Sequence, residues 1–177
     1  MKKTAVLLFP LFSEYEISVA LSILMQGNKP VVTVGMSKGP IKGEASLSCV
    51  ADLTIDEINF NEIDSLLIPG CMDISTIMNE EKLIHFIKEI ASENRVIASI
   101  SSSPLLLAKA GVLKGKKFTV GLTEEFMIET GSFEMENLSK ELVVRDGNLL
   151  TARGRGFIDF GVTFGHMLHL NFDKAWY

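Results

Sequence analysis

The residues in this sequence that could do chemistry include a serine turn between an apolar run and a proline. The apolar run 96–100 predicts a strand, and Pro104 suits the first turn of a helix, where its missing N–H costs nothing. Ser103 is the predicted N-cap. The small residues Ser99 and Ser103 flank Ser101, so a sharp strand-to-helix turn could expose Ser101 as a nucleophile elbow does. The alternative is a serine-rich helix start without chemistry.

A serine hydroxyl is a weak nucleophile unless a general base lies beside it. His85 has glutamates four residues to either side, which indicates the polar face of a helix. His166 and His169 lie three apart near the end of the last predicted helix and suit structural or surface roles. We therefore predict no Ser–His pair at Ser101.

Cys71 is the second candidate nucleophile, because it follows an apolar run that ends at Pro69-Gly70. It could be a reactive thiol at the end of a strand. The alternative is a small buried residue, since free cysteine is often buried. Cys49 lies in a predicted hairpin and is expected to be structural.

The charged candidates, two arginines and one glutamate, also have alternative interpretations. Arg153 and Arg155 precede the last predicted helix and could hold a carboxylate or phosphate. They could equally form surface or dimer salt bridges. Ser13 and Glu16 have the spacing of a capping box, which would turn the Glu16 carboxyl back to the Ser13 N–H.

The elements that must position these residues alternate between strands and helices. Such alternation predicts a flavodoxin-like α/β fold, a doubly wound, mostly parallel sheet with helices on both faces. Ligands in these folds bind beyond the carboxyl ends of the strands, where all the candidate residues lie. We predict strands at 4–9, 30–35, 64–69, 96–100 and 117–120, hairpins at 41–52 and 143–151, and helices at 14–26, 80–93, 104–110, 124–129 and 157–170.

Composition narrows the function classes. The chain has 177 residues and is read as one domain over 1–177. The net charge of -5 argues against a nucleic-acid partner, since phosphate binding needs clustered Lys and Arg. Two cysteines and the absence of a Cys/His cluster give no disulfide framework or metal site, and we expect no cofactor.

No apolar run reaches the roughly 20 residues of a membrane span. Residues 4–12 read as a buried first strand rather than a signal peptide, so a cytoplasmic location is expected.

Four segments, in order along the chain, resemble the DJ-1/ThiJ/PfpI family of the glutamine amidotransferase-like superfamily. Segment 98–117 (ASISSSPLLLAKAGVLKGKK) is similar to the family pattern A-x-I-C-x-x-P-x-x-L-A-x-A-G-L-L-x-G-K-K. Segment 14–16 (EYE) resembles its E-x-E, 68–70 (IPG) its P-G-G strand end, and 146–154 (DGNLLTARG) its D-G-x-x-x-T-[SA]-R-G. The resemblance implies that the Glu16 carboxyl contacts residue 101, and that the protein is a homodimer.

The chain departs from the family pattern at the residues that carry its chemistry. Ser101 stands where the family has its reactive cysteine. Cys71 stands at the second glycine of P-G-G, whose N–H would help to bind an oxyanion, and Ser102 stands where many members have histidine. Peptidase-like, amidase and glyoxalase activities in the family depend on that cysteine.

The sequence therefore predicts a degenerate elbow that is non-catalytic or weakly active. In this reading the inherited pocket binds a small molecule or partner through Ser101, Glu16, Gly70 and Ser102, with Arg153 and Arg155 nearby. The alternative is a hydrolase, amidase or glyoxalase-like enzyme that uses Cys71 or Ser101.

Overall fold

The computed structural model describes residues 1–92 and 94–177. The strands are β1 Lys3–Leu8, β2 Val31–Gly35, β3 Pro40–Lys42, β4 Ser48–Val50, β5 Leu53–Thr54, β6 Ile63–Ile68, β7 Val96–Ile100, β8 Val143–Asp146 and β9 Leu149–Ala152. The helices are α1 Ser18–Gln26, α2 Glu81–Ile90, α3 Pro104–Lys109, α4 Glu124–Thr130 and α5 Phe157–Met167. Short 3-10 turns, including Tyr15–Ile17 before α1, join several of them.

A seven-stranded sheet in the order β5-β2-β1-β6-β7-β9-β8 organises the fold. All its pairings are parallel except β8 with β9. Strands β1, β6 and β7 are almost continuously buried, as expected of parallel strands covered on both faces. The register aligns Ile68 with Ser99 and Ile100 with Ala152, so the carboxyl ends of β6, β7 and β9 meet. The flavodoxin-like prediction is confirmed.

Helix packing explains two glycines in α5. α1 packs on α5, and α2 packs on α3. A Cβ at Gly161 would lie 2.8 Å from the Ala20 backbone nitrogen, and one at Gly165 would collide with Ile23. These glycines therefore allow α1 and α5 to approach closely within the core. In the described part of the chain, no helix is both long and apolar enough to cross a membrane.

The structure corrects four predicted elements. The helix predicted at 14–26 is α-helical only from Ser18, and a 3-10 turn at Tyr15–Ile17 precedes it. Residues 117–120 form no strand: Phe118 makes only an isolated bridge with Leu138, and the Thr119 N–H bonds to the Thr151 hydroxyl instead of a backbone carbonyl. The last helix ends at Met167, and α2 ends at Ile90. The predicted end of that helix, residue 93, lies outside the described residues. The predicted hairpins correspond to β3–β4 and β8–β9.

Candidate functional site

Ser101 occupies a strained turn directly after β7. Its φ is 64°, in the left-handed region that a non-glycine residue enters at a cost of about 1–3 kcal/mol. The Ser101 N–H donates to the Ala152 carbonyl at 2.8 Å, and the Ser101 carbonyl accepts from the Gly121 N–H at 2.7 Å. A Cβ on Gly121 would lie 3.2 Å from the Ser101 backbone. β9 and the loop at Gly121 therefore hold Ser101 in this conformation, and the predicted strand-to-helix elbow is confirmed.

The small neighbours of Ser101 stabilise the elbow in a way that corrects the predicted N-cap. Ser103 precedes α3, but its side chain accepts no capping bond from the helix. Its backbone is already helical, and its hydroxyl donates back to the Ile100 carbonyl at 2.8 Å. The Ser99 and Ser103 hydroxyls are 2.7 Å apart and fully buried. These hydroxyls connect β7 to the turn that follows it.

The Glu16 carboxyl is buried beside the elbow, with only 3% of the residue exposed. Its Oε2 accepts from the Gly70 N–H at 3.1 Å, and its Oε1 accepts from the Tyr15 hydroxyl at 3.3 Å. Burial raises the pKa of Glu16, and hydrogen bonds from Ser101 and Tyr15 partly offset this effect. The carboxyl therefore faces Ser101, and its protonated form is favoured relative to an exposed glutamate.

Of the two interpretations of Glu16, the capping box is wrong, and the carboxyl instead faces Ser101. The Ser13 N–H donates to the Gly70 carbonyl at 2.8 Å, so it is not available to Glu16. The Ser13 hydroxyl donates to Glu44 at 2.8 Å. Tertiary contacts with the end of β6 and with the β3–β4 loop thus replace the local motif.

Two glycines make room for the Glu16 carboxyl. A Cβ on Gly70 would collide with Glu16 Oε2 and would lie 2.5 Å from the Ser101 Cβ. A Cβ on Gly154 would collide with Glu16 Oε1 and would lie 3.3 Å from the Ser101 hydroxyl. The segments after β6 and β9 therefore need glycine at these positions to accommodate the Glu16–Ser101 arrangement.

Tyr15 is a site residue that the sequence did not single out. Its ring meets the Phe157 ring edge-on, with 5.6 Å between the centroids, and 51% of the residue is exposed. Partial burial, followed by the Glu16 charge, raises the pKa of its hydroxyl. Tyr15 precedes Glu16 in a 3-10 turn, which brings both side chains to the elbow. Only its position inside the EYE segment could have pointed to it.

Cys71 lies at the end of β6, and its backbone bridges to Phe12. Burial raises the pKa of its thiol to about 11, which opposes a reactive thiolate at neutral pH. The Cys71 sulfur lies 3.8 Å from the Ser102 hydroxyl. Ser102 is itself buried, and its hydroxyl accepts from the Cys71 N–H at 3.2 Å. The half-buried Cys49 lies in β4 and packs against the core.

The two arginines differ in their burial and in their contacts with the rest of the fold. Arg153 is half-buried, and its Nε donates to the Thr119 hydroxyl at 3.1 Å. The backbone N–H of Arg153 donates to the Leu142 carbonyl at 2.8 Å. Arg155 is exposed. Arg153 therefore supports the loop after β9, and Arg155 is presented to solvent.

The histidines lie on elements other than the elbow. His85 is exposed on α2, next to Glu81 and Glu89 in a groove. The His166 ring packs on Phe172, with 5.1 Å between the centroids. His169 follows α5, a helix that starts near the site and extends roughly 16 Å at 1.5 Å per residue. Among the described residues, no group of three His, Cys, Asp or Glu side chains could hold a metal ion.

Comparison with known proteins decides the family. The DJ-1/PfpI family profile matches residues 2–165. The chain belongs to the DJ-1/PfpI family. It is 33% identical over 147 residues to a protein of Pyrococcus furiosus named deglycase PfpI, covering 82% of this chain and 86% of that one. It is 28% identical over 156 residues to protein/nucleic acid deglycase 2 of Escherichia coli, covering 86% and 88%.

Solved structures agree on the fold of this DJ-1/PfpI member. A DJ-1 superfamily protein of Agrobacterium tumefaciens superposes with a TM-score of 0.85 at 21% identity, over 99% of this chain and 94% of that one. Drosophila melanogaster DJ-1beta superposes with a TM-score of 0.80 at 24% identity, over 99% and 95%. At these identities the likeness establishes the fold alone.

Proposed function

We propose that this DJ-1/PfpI member binds a small neutral molecule non-covalently at the Ser101 elbow and is non-catalytic or weakly active. The single observation that carries the proposal is the strained Ser101 turn, held at φ 64° against the buried Glu16 carboxyl. We interpret this turn as a reactive-site architecture built around a hydroxyl instead of a thiol. In this proposal Ser101 stands at the family's nucleophile position, which the motif in segment 98–117 supports.

The surroundings of Ser101 favour binding over nucleophilic attack. Serine needs a neighbouring base to attack a carbonyl, and burial favours the protonated form of Glu16. Both Glu16 oxygens also accept hydrogen bonds from the protein, Oε1 from Tyr15 and Oε2 from Gly70. The Ser101, Tyr15 and Glu16 oxygens then form a cluster that can both donate to and accept from a ligand.

Small polar molecules with carbonyl and hydroxyl groups fit this cluster. The hydroxyl groups of Ser101 and Tyr15 can donate to a carbonyl oxygen, and both can accept from a hydroxyl. Relatives of this chain are named deglycases. A neutral hydroxyketone is therefore a suitable probe of the site.

An NMR titration of the labelled protein with hydroxyacetone tests the proposal. We expect saturable shifts of the Ser101 and Gly121 amides, and Ser101→Ala should weaken binding by about tenfold because it removes a hydrogen-bonding hydroxyl from the site. Thr163→Val on α5 is the matched control and should leave the titration unchanged. If the shift of the wild-type Ser101 amide does not saturate with hydroxyacetone, the binding function is refuted.

The alternative function is an enzyme that uses Ser101 or Cys71, and the names of the deglycase relatives favour it. A catalytic cysteine must ionise readily, whereas burial raises the pKa of Cys71 to about 11. The rate of alkylation separates the two functions. The enzyme hypothesis with Cys71 requires one fast thiol, and the binding hypothesis requires none.

We also propose a homodimer, as the family resemblance implies, and a cytoplasmic location, because residues 4–12 are interpreted as a strand rather than a signal peptide. Exposed apolar side chains are available for a partner copy, with Met25 on α1 61% exposed and Trp176 65% exposed. Sedimentation equilibrium tests the assembly: a dimer mass is expected, and a monomer at every accessible concentration would reject it.

A further inference from the structure

The backbone of Cys71 is oriented by its neighbours. The Gly70 carbonyl accepts from the Ser13 N–H at 2.8 Å, and the Met72 N–H donates to the Leu11 carbonyl at 3.1 Å. Because successive backbone groups of an extended segment point to opposite sides, the N–H and C=O of Cys71 itself point away from residues 11–13. They face the elbow instead.

The Ser102 hydroxyl forms hydrogen bonds with both of these backbone groups of Cys71. It accepts from the Cys71 N–H at 3.2 Å and donates to the Cys71 carbonyl at 3.3 Å. Only 6% of Ser102 is exposed. The neighbouring Gly70 N–H already donates to Glu16. Two N–H groups next to Ser101 that could otherwise hold a negative oxygen therefore have internal acceptors.

The charges around the cleft also disfavour an anion. The Ser13 hydroxyl donates a hydrogen bond to Glu44, which belongs to the β3–β4 loop, and Asp73 follows Cys71 by two residues. The Glu44 charge contributes to the raised pKa values of Tyr15 and Glu16, and the Asp73 charge contributes to that of Cys71. Of the two nearby arginines, Arg153 donates its Nε to Thr119 and Arg155 is exposed.

We propose that Ser102 is a specificity-determining residue that closes the cleft to anions and leaves it open to neutral ligands. Its hydroxyl does so by occupying the Cys71 N–H, next to an acidic rim. The inference rests on the proposed binding function and names the ligand class of that same site. It predicts that removal of one hydroxyl exposes an anion-binding N–H.

Inorganic phosphate is the probe, and the Cys71 amide in the NMR spectrum of the full chain is the readout. We expect no saturable shift of this amide in the wild type and a saturable shift in Ser102→Ala. Phosphate affinity in Ser102→Ala should exceed the upper limit set by the wild type by about tenfold, the effect of one hydrogen bond to a charged group. Ser103→Ala is the matched control. It removes a buried hydroxyl of the same elbow that donates to carbonyls, so it frees no N–H.

Saturable phosphate binding at Cys71 in the wild type would overturn the inference, as would a Ser102→Ala variant that responds no more than the wild type. If Ser102→Ala does not fold, alkylation of Ser101→Cys decides. Relative to free cysteine, iodoacetamide should be favoured over iodoacetate by about tenfold, since the Ser102 hydroxyl withholds the Cys71 N–H from the carboxylate. A ratio equal to that of free cysteine, or no reaction with either reagent, would overturn the inference. The hydroxyacetone titration of the wild type tests the binding function separately.

Discussion

The Glu16 carboxyl and the Gly70 N–H, 54 positions apart in the sequence, are joined by a hydrogen bond of 3.1 Å beside Ser101. The bond connects the turn before α1 to the end of β6. It orients the carboxyl toward the elbow instead of toward the Ser13 N–H. The geometry of the site therefore depends on the absence of a side chain at residue 70.

Gly70→Ala should disrupt the site, because its Cβ would collide with Glu16 and approach Ser101. We expect a loss of about 1–3 kcal/mol in the free energy of unfolding, the usual cost of overpacking. Hydroxyacetone binding should be lost in the same variant. Gly156→Ala is the control: its Cβ would lie 3.1 Å from the Leu142 carbonyl, away from Glu16, and binding should persist. Unchanged binding in Gly70→Ala would contradict the arrangement.

The pH dependence of stability should report on Glu16. Burial raises its pKa in the folded protein above the ordinary value of 4.5, so the folded state holds the proton more tightly than the unfolded chain. This contribution to stability is fully present below pH 4.5 and is lost as the pH rises through the folded pKa. The Glu16→Gln variant has no carboxyl to ionise at this position. The free energy of unfolding of the variant, minus that of the wild type, should therefore increase as the pH rises through that window. Urea unfolding at a series of pH values measures the difference.

The exposed Glu89 on α2 provides the control for this experiment, and Glu89→Gln should show the pH profile of the wild type. Parallel profiles for Glu16→Gln and the wild type would show that Glu16 titrates as an exposed carboxyl does.

Cys71 should resist alkylation in the native protein. With a pKa of about 11, its thiolate fraction near pH 8 is roughly two orders of magnitude below that of a free cysteine of pKa about 8.5. Peptide mass spectrometry after timed exposure to iodoacetamide measures the rate at this residue. Urea should abolish the protection. Native Cys71 reacting as fast as free cysteine would restore it as a candidate nucleophile.

Ser101→Cys should create a reactive thiol at a cost below about 1 kcal/mol, because the swap is nearly isosteric and the elbow is already in place. The N–H groups at the start of α3 favour a thiolate, and a protonated Glu16 can donate a hydrogen bond to it. The pKa of the new thiol should fall below about 8.5. The pH dependence of alkylation, in a background with Cys49→Ala and Cys71→Ala, gives this value. A titration at or above the free value would mean that the pocket does not activate a thiol.

The sequence was a sound guide where one pattern decided the structure. The alternation of apolar runs and helical periodicity predicted the sheet, and segment 96–104 predicted the sharp strand-to-helix turn at Ser101. It failed where a tertiary contact displaced a local motif, as at Ser13, whose N–H bonds to Gly70 instead of Glu16. The Ser102 bond to the Cys71 backbone had no local signal either, because it joins residues 31 positions apart.

Turnover of glyoxal by the wild type, Ser101→Ala and Cys71→Ala tests the central claim most directly. The account predicts that loss of the dicarbonyl proceeds at the same slow rate with all three proteins. In the described part of the chain the histidines lie on elements other than the elbow, and burial raises the pKa of the Cys71 thiol to about 11. A wild-type rate that clearly exceeds that of either variant would contradict it and would make this elbow a catalytic site.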